Sequence, residues 1–376
     1  MTTRRNFLKT GGAALAAGAV FCSCGMLHRA NAATSRQTLP VRVAGQRVRT
    51  IDVHAHCHFR EAGALLGSEA AATAAQIPPV NGAEEAFIKM DQRLAAMDAQ
   101  AVDMEVLSIN PFWYNRERDL AGQIVKIQNE KLAELCASKP DRFAGFASLT
   151  LQAPDLAVQE LETAVKKQGL KGAAIGDSVA GVEFSDPKFF PVWAKAEELG
   201  VPLFIHPQGL PELSKRLSGN GWLANTIGNP LGTTIALSHL IFEGTFDRYP
   251  GLKVIAAHGG GFLPSYADRS DHACLVGPKG CNPNIQLQKK PTEYLKQIYF
   301  DSLIFSPEAI RHLAAQVGAS QIVLGSDYPY IWQLAPVDHI FDSASLSDAE
   351  KADILGRTAE KLLNLATQTV GAGTKQ

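Results

Sequence analysis

The amino-acid sequence predicts a single (β/α)8 TIM barrel of the α/β class. Apolar segments of strand length alternate with amphipathic segments of helical length through most of the 376 residues. The strand segments are apolar on both faces, which is typical of a parallel sheet that is covered on both sides. Eight such strands with helical returns over roughly 320 residues fit one closed barrel. An open doubly wound sheet would show the same alternation, but no Gly-rich phosphate loop follows the first strand.

The predicted elements follow one another in a regular order. The eight strands are VRTIDVHAH, VDMEVLSI, RFAGFASL, LKGAAIG, VPLFIH, LKVIAAH, IYFDSL and QIVLGSD. Helical periodicity occurs in AEEAFIKMDQRLAAMDAQ, LAGQIVKIQNEKLAELCASK, APDLAVQELETAVKKQG, FFPVWAKAEELG, GTTIALSHLIFEGTFDRYP, PEAIRHLAAQVG and SDAEKADILGRTAEKLLNL. A long Ala-rich loop separates the first strand from the first helix. We therefore expect the barrel to span residues 48–368 and to be followed by a flexible tail at 369–376.

The N-terminal segment resembles a twin-arginine export signal. Paired Arg4 and Arg5 precede a weakly apolar, Ala/Gly-rich run, and residues 30–32 match an A-x-A cleavage pattern. The run is short and Gly-rich for a helix that spans a membrane, so an ordinary N-terminal anchor is the weaker alternative. We predict a signal over residues 1–32, a linker over 33–47, and a mature protein without a membrane span in the periplasm or outside the cell.

Charge and cysteine content argue against a nucleic-acid-binding protein and against a disulfide-rich domain. The formal net charge of −1 gives no reason to expect nucleic acid as a partner. Cleavage after the signal removes two of the six cysteines, and the four that remain are too few for a disulfide framework in a domain of this size. A bridge between Cys274 and Cys281 is compatible with an oxidising compartment.

Histidine and aspartate side chains follow several predicted strands at their carboxyl ends, where a barrel carries its chemistry. His54 and His56 end the first strand and share one face, because side chains alternate along a strand. His206 ends the fifth strand, His258 the sixth and Asp327 the eighth. Each one alone could be a buried residue with ordinary hydrogen bonds. Their joint position favours a site, and imidazole with carboxylate suits zinc or a similar divalent metal.

Four of these segments resemble one known family. IDVHAH, PLFIHP, LKVIAAHGGG and VLGSDYP occur in the order seen in the second amidohydrolase-related family of the amidohydrolase superfamily. The resemblance covers the chain from about Ile51 to Leu365. It is closest to the decarboxylase branch, whose members act on aminocarboxymuconate semialdehyde, resorcylate or carboxyvanillate. The motifs imply a metal-dependent barrel enzyme, and they are much less specific for its substrate.

The resemblance also assigns roles to residues at matching positions. It implies that His54, His56, His206 and Asp327 hold one divalent metal ion, with Zn²⁺ favoured and Mn²⁺ as the alternative. It implies that His258 is the catalytic histidine, close to the metal ion but not a ligand. Because the pKa of imidazole lies near neutrality, His258 could act as a base towards water or as a proton donor to carbon.

Two further positions match substrate-binding residues of the family. Arg269 corresponds to an arginine that enters the site of a neighbouring subunit and binds the substrate carboxylate, which implies a homodimer. The alternative for Arg269 is a surface ion pair with Asp268 or Asp271. Trp222 corresponds to one aromatic residue of the family's pocket.

The sequence departs from the family pattern around the predicted pocket. The second carboxylate-binding arginine of the decarboxylase has no counterpart that can be aligned in the loop after the first strand. Gln208 stands where the family has Trp, and Asn225 replaces a second aromatic residue. We expect His58 to be a loop residue at the pocket mouth that can contact substrate, and Cys57 to point away from the metal site.

These features predict a metal-dependent carbon–carbon lyase, a non-oxidative decarboxylase of a small aromatic or dienoic carboxylic acid. A metal-dependent hydrolase of a lactone, amide or related bond is the alternative, because the same residues would serve that chemistry. A barrel whose metal ion is only structural is disfavoured, since a structural site needs no adjacent base such as His258.

Overall fold

Parallel strands form the wall of a closed barrel, as the sequence predicts. The computed structural model describes residues 36–67, 89–277, 281, 284–330 and 332–365, so the predicted export signal and tail lie outside the described residues. The strands are β1 (Arg42–Val43), β2 (Gln46–Arg47), β3 (Ile51–His56), β4 (Met104–Ser108), β5 (Phe143–Gly145), β6 (Ala173–Ile175), β7 (Pro202–Ile205), β8 (Lys253–Ala256), β9 (Ile298–Asp301) and β10 (Ile322–Val323). Strands β3 to β10 correspond one to one with the eight predicted strands, which confirms the TIM barrel.

Two seams close the barrel. Strands β3, β4 and β5 form one parallel sheet, and strands β6 to β10 form the other in the order of the chain. A parallel bridge between Ala147 and Ala173 joins β5 to β6. At the other seam, the backbone N–H of Asp327 donates to the carbonyl oxygen of His54 at 2.8 Å. This bond fixes the segment after β10 beside the end of β3, so the two seams together determine which strand ends become neighbours.

Helices return the chain between the strands. The described helices are α1 (Arg60–Ala64), α2 (Met90–Ala99), α3 (Arg118–Ser138), α4 (Pro154–Lys166), α5 (Phe190–Leu199), α6 (Asn229–Phe242), α7 (Thr245–Arg248), α8 (Leu263–Val276), α9 (Pro291–Tyr294), α10 (Pro307–Val317), α11 (Asp338–Phe341), α12 (Asp348–Ala352) and α13 (Thr358–Leu362). Among the described residues, no helix combines the length and the apolarity that a membrane crossing requires.

Several details differ from the sequence-based expectation, among them the short helix α1 in the segment that was expected to be a loop. The helix predicted over residues 232–250 is divided into α6 and α7, because Gly244 adopts a left-handed φ of +71° that a helix cannot continue through. The polar segment around Arg269 forms α8, which its weak apolar periodicity did not reveal. Within the predicted linker, β1 and β2 pair in an antiparallel hairpin. Ala44 and Gly45 both have positive φ, which suits a two-residue hairpin turn.

The barrel interior is filled at the end opposite to the polar strand ends. Alternate strand residues, among them Val106, Phe204 and Ile255, form a buried cluster together with Leu362 and Leu363 at the end of α13. A larger buried cluster contains residues of the strands and of the surrounding helices. Since apolar side chains occupy the interior, chemistry is confined to the carboxyl ends of the strands.

A disulfide links Cys274 near the end of α8 to Cys281. The sequence left this pairing open. Cys57 and Cys136 are free, and Cys57 is buried.

Candidate active site

Four metal-binding side chains converge at the carboxyl ends of the strands. His54 and His56 belong to β3, His206 directly follows β7, and Asp327 follows β10. All four are buried, and one donor atom of each lies within 4.8 Å of those of the others. The two Nε2 atoms of His54 and His56 are 3.2 Å apart. The Oδ1 atom of Asp327 is 2.9 Å from Nε2 of His56. The structure thus brings together the four residues that the resemblance implies as ligands.

The His206 ring shows why this cluster fits a metal ion. Within the described part of the chain, both ring nitrogens of His206 are buried and have no hydrogen-bond partner. Buried polar atoms are almost always satisfied, so two such atoms on one ring point to a ligand. Burial, followed by the neighbouring His56 and His54, holds the pKa of His206 well below its ordinary value. The ring is therefore neutral, which is the form that binds a cation.

Asp327 supplies the negative charge of the cluster. Burial raises its pKa, but His54 and His56 outweigh burial and hold that pKa well below its usual range. Burial lowers the pKa of His54, whereas Asp327 and then Asp301 outweigh it and raise that pKa to about 10. The carboxylates thus favour positive charge at His54. Three imidazoles and one carboxylate match the donor set that divalent zinc or a related metal prefers.

Asp301 is a site residue that the sequence reasoning missed. Its Oδ2 atom accepts hydrogen bonds from Nδ1 of His54 at 2.6 Å and from the backbone N–H of His258 at 2.8 Å. Its Oδ1 atom accepts from the backbone N–H of Gly259 at 2.8 Å. A carboxylate on the second nitrogen of a ligand histidine orients the ring and raises its basicity. The signal was present, because Asp301 ends the seventh barrel strand just as Asp327 follows the eighth.

His258 lies beside the four ligands but is not one of them. Its ring centroid is 5.2 Å from that of His54 and 5.4 Å from that of His206. Its Nδ1 atom is buried without a hydrogen-bond partner among the described residues. Burial and then His54 lower its pKa to about 4, so the ring is neutral near pH 7. This placement agrees with the predicted role of a base next to the metal site.

The backbone around His258 is held in an unusual conformation. His258 has a φ of +56° and Asp327 a φ of +64°, in the left-handed region that non-glycine residues rarely adopt. A Cβ on Gly261 would lie 2.0 Å from the carbonyl oxygen of Pro230. The three consecutive glycines therefore allow close backbone approach, and such strained positions cluster at functional sites.

A cavity of about 640 Å³ opens onto the ligands. His58 and Trp222 both line it, as predicted. Its other walls combine aliphatic side chains, among them Ile109, Leu217 and Leu223, with amide and aromatic ones: Asn110, Gln208, Asn225, Asn229, Phe112, Tyr330 and Trp332. Among the described lining residues there is no lysine or arginine.

Cys57 is among the residues that line the cavity, but its thiol lies beside Arg93 of α2 and Cys136 of α3 rather than among the metal ligands. Cys57 is not part of the metal-binding group, and burial raises the pKa of its thiol to about 12. It is therefore an unreactive part of the wall.

Arg269 lies outside this chain's own cavity. It is exposed on α8, and no ion pair of Arg269 with Asp268 or Asp271 is found in the described part of the chain. Asp271 instead accepts hydrogen bonds from the backbone N–H and the hydroxyl of Thr292 at 2.9 and 2.7 Å. The surface ion pair, which was the alternative for Arg269, is thus not formed.

Comparison with known proteins agrees with the geometry. A family model described as amidohydrolase matches residues 51–365. The chain is 34% identical over 281 residues to 2-amino-3-carboxymuconate-6-semialdehyde decarboxylase of Dictyostelium discoideum, which covers 73% of this chain and 76% of that protein. It is 30% identical over 292 residues to gamma-resorcylate decarboxylase of Rhizobium radiobacter, which covers 73% of this chain and 87% of that protein.

A solved structure extends the likeness to three dimensions. The dihydroxybenzoic acid decarboxylase of a Polaromonas species, with bound manganese and the inhibitor 2-nitroresorcinol, superimposes with a TM-score of 0.73 and 26% identity. The match covers 85% of this chain and 97% of that chain. With its barrel, its four converging ligands and these relatives, the chain is an enzyme that belongs to the amidohydrolase family.

Proposed function

We propose that the protein is a metal-dependent, non-oxidative decarboxylase of a small aromatic carboxylic acid. The observation that carries this proposal is the position of neutral His258 beside the four converging ligands His54, His56, His206 and Asp327, the last three of which line the cavity. A structural metal site has no need of such a base. The relatives with the same fold are named as decarboxylases, which supports the lyase over the hydrolase.

Each residue of the site has a separate chemical role. A divalent ion held by the four ligands would supply Lewis-acid stabilisation of negative charge as the carbon–carbon bond breaks. The neutral ring of His258 can accept a proton from a substrate hydroxyl or from water. It then returns that proton to the ring carbon from which carbon dioxide leaves, so that one C–C bond is replaced by one C–H bond. Asp301 holds both His54 and the His258 backbone in place.

The cavity wall favours an aromatic monocarboxylic acid with hydroxyl groups over a dienoic dicarboxylic acid. A second carboxylate would need a cation, but the described lining residues include no lysine or arginine. The sequence of residues 68–88, after α1, also contains neither. Asn110, Gln208, Asn225 and Asn229 can instead exchange hydrogen bonds with neutral phenolic hydroxyls.

We propose zinc as the metal, because three imidazoles and one carboxylate form a mainly nitrogen donor set. Manganese, which a solved relative contains, is the competing assignment. Elemental analysis of the protein purified without added metal tests this assignment. Roughly one zinc per chain is expected, and manganese in its place would overturn the choice of metal but not the choice of site.

We also propose that the enzyme is a homodimer in which Arg269 reaches the neighbouring subunit's site. The proposal is supported by the exposed position of Arg269, by its lack of an ion pair within the described residues, and by the absence of cations from the cavity wall there. A guanidinium group binds a carboxylate through two parallel hydrogen bonds.

The twin-arginine signal of the sequence supports a further proposal, namely that the enzyme is exported. Fractionation of cells that express the Arg4→Lys, Arg5→Lys double variant tests it. The wild-type protein is expected in the periplasm or the medium and the variant in the cytoplasm. Equal distribution of both proteins would contradict the proposal.

The decisive experiment on function is a substrate panel. Metal-loaded mature protein is offered hydroxybenzoic acids, dienoic acids, lactones and amides, and both carbon dioxide and hydrolysis products are measured. Carbon dioxide release that is lost on chelation and restored by the metal supports the proposal. Hydrolysis without carbon dioxide release would establish the hydrolase instead.

A further inference from the structure

The chain contains four tryptophans, and they fall into two structural classes. Trp113 and Trp193 are buried, and the indole N–H of each donates to a backbone carbonyl oxygen at 2.8 Å. Trp222 and Trp332 line the cavity, and no indole hydrogen bond is found for either among the described residues. The first pair therefore serves the core, whereas the second pair presents its indole groups to the cavity.

Trp222 is held by its backbone and left exposed at its side chain. Its carbonyl oxygen accepts hydrogen bonds from the backbone N–H groups of Asn225 and Thr226 at 2.8 and 2.9 Å. Its φ of +53° lies in the left-handed region, which is a strained position for so large a residue. Nevertheless 65% of the residue is exposed. A strained backbone that displays an apolar ring is typical of a ligand clamp rather than of a packing residue.

Trp332 packs against Trp222 on the wall of the cavity. Their ring centroids are 5.6 Å apart, and the ring planes are at 89° in an edge-to-face arrangement. Trp332 lies two residues beyond Tyr330, whose ring centroid is 5.5 Å from that of His56. Tyr330 is thus in ring contact with a ligand histidine, whereas no such contact of Trp222 or Trp332 is found among the described residues, so the tryptophan pair lies further from the metal ligands.

The cavity is therefore arranged in two parts. Next to the ligands, Tyr330 and Gln208 suit the carboxylate-bearing ring of the substrate. Beyond them, Trp222 and Trp332 form an apolar subsite that a one-ring acid bound at the ligands would leave unfilled. A volume of about 640 Å³ lies in the middle of the range for ligands much larger than one benzene ring.

We propose that Trp222 and Trp332 form an aromatic clamp, by which we mean two indole rings at right angles that together contact a second apolar group of the substrate. The preferred substrate is then an aryl carboxylic acid that carries a second ring or a comparable apolar substituent on the side away from its carboxylate. This inference rests on the proposed decarboxylase function and narrows its substrate class. Aromatic groups prefer edge-to-face and offset contacts, and the exposed face of Trp222 is available for one.

The test compares salicylic acid with 4-phenylsalicylic and 5-phenylsalicylic acids. We expect the wild-type enzyme to have a higher kcat/KM for at least one phenyl derivative. In Trp332→Ala, the ratio of kcat/KM for that derivative to kcat/KM for salicylic acid should fall about tenfold, as expected for the loss of one aromatic contact. Trp332→Phe, which keeps an aromatic ring, should restore most of the ratio, and Phe305→Ala, an exposed aromatic outside the cavity, should leave it unchanged.

A binding measurement separates this inference from the function on which it rests. In the His258→Ala background, where turnover is expected to be lost, the phenyl derivative should quench tryptophan fluorescence and bind about tenfold more tightly than salicylic acid. Adding Trp332→Ala should abolish that difference. If the phenyl derivative binds preferentially but the wild-type enzyme releases carbon dioxide from no acid, the proposed clamp stands and the proposed decarboxylase function is refuted. Decarboxylation with no preference for the phenyl derivatives, or a preference that Trp332→Ala does not alter, would refute the clamp alone.

Discussion

At the scale of single residues, burial determines which protonation state each side chain can use. His206 and His258 are both buried among other imidazoles, so the neutral form of each ring is favoured. Asp327 stays a carboxylate because two histidines contact it. The site thus offers a neutral nitrogen donor in His206, a negative oxygen donor in Asp327 and a neutral base in His258.

The first prediction concerns His258→Ala. Because His258 is close to the ligands without being one, the variant should retain the metal and lose about 10²–10⁴-fold in kcat. Turnover is measured together with metal content by elemental analysis. His312→Ala removes a histidine outside the cavity and serves as the matched control with near-wild-type kcat. Loss of the metal from His258→Ala would mean that His258 is a ligand.

The second prediction concerns Asp301→Asn. The carboxylate accepts hydrogen bonds at both oxygens, whereas an amide must point a donor towards either His54 or Gly259. Metal affinity should therefore fall about 10–100-fold, as measured by competition with a chelator. Glu160→Gln replaces a half-buried carboxylate that is bonded to Thr150 instead. If both variants lose metal affinity equally, the effect is general destabilisation and Asp301 has no specific role.

At the scale of secondary-structure elements, the site depends on where strands end. Apolar strand residues anchor each segment in the sheet, and the next polar residue emerges at the rim of the barrel. The turn after β8 is the most constrained of these connections, because Gly259, Gly260 and Gly261 all have positive φ. It places His258 over the ligands only if the backbone can pass close to Pro230.

The third prediction follows from that close approach. Gly261→Ala would place a Cβ 2.0 Å from the carbonyl oxygen of Pro230 at a φ of +65°, so the turn must shift. The free energy of unfolding should fall by about 2–4 kcal/mol, and kcat should fall with it. Gly200→Ala has nearly the same φ, +66°, with no atom within 4 Å, and should lose only about 1 kcal/mol. Equal losses in chemical denaturation would show that strain in φ, rather than the contact, limits this turn.

At the scale of the whole molecule, barrel closure makes distant sequence segments into one site. His54 and Asp327 are 273 positions apart in the chain, and the β3–β10 seam sets them side by side. Helix α8 carries Arg269 away from this chain's own cavity, so a carboxylate-binding role for Arg269 requires a second copy.

The fourth prediction tests that requirement by complementation. Arg269→Ala and His258→Ala homodimers should each be nearly inactive. In a mixed dimer, the subunit with intact His258 receives intact Arg269 from its partner, so one of the two sites is complete. Random mixing should restore roughly a quarter of wild-type activity. The two variants are mixed and allowed to exchange subunits, light scattering confirms that they are dimers, and the activity of the mixture is measured. If activity does not recover although subunits have exchanged, Arg269 lies outside the neighbouring site.

Much of the fold could be predicted from the sequence, because each barrel strand is an apolar run that ends in a recognisable polar residue. All eight strands were located. The strand-end pattern grouped His258 with the four residues that converge, and only the family resemblance separated the ligands from it: His54, His56, His206 and Asp327. The hairpin of β1 and β2 and the helix α8 were not located, since two-residue strands and a helix of mixed polarity produce little periodicity.

The sequence by itself determined the barrel and the family and predicted the metal-binding side chains, because these depend on local periodicity and on short motifs. Only the tertiary structure showed that Asp301 bonds to both His54 and the His258 backbone, and that Trp332 packs against Trp222. Such contacts join residues far apart in the chain, and no local pattern encodes the distance between them. That distance is set by how the strands close and how the connecting turns fold over the rim.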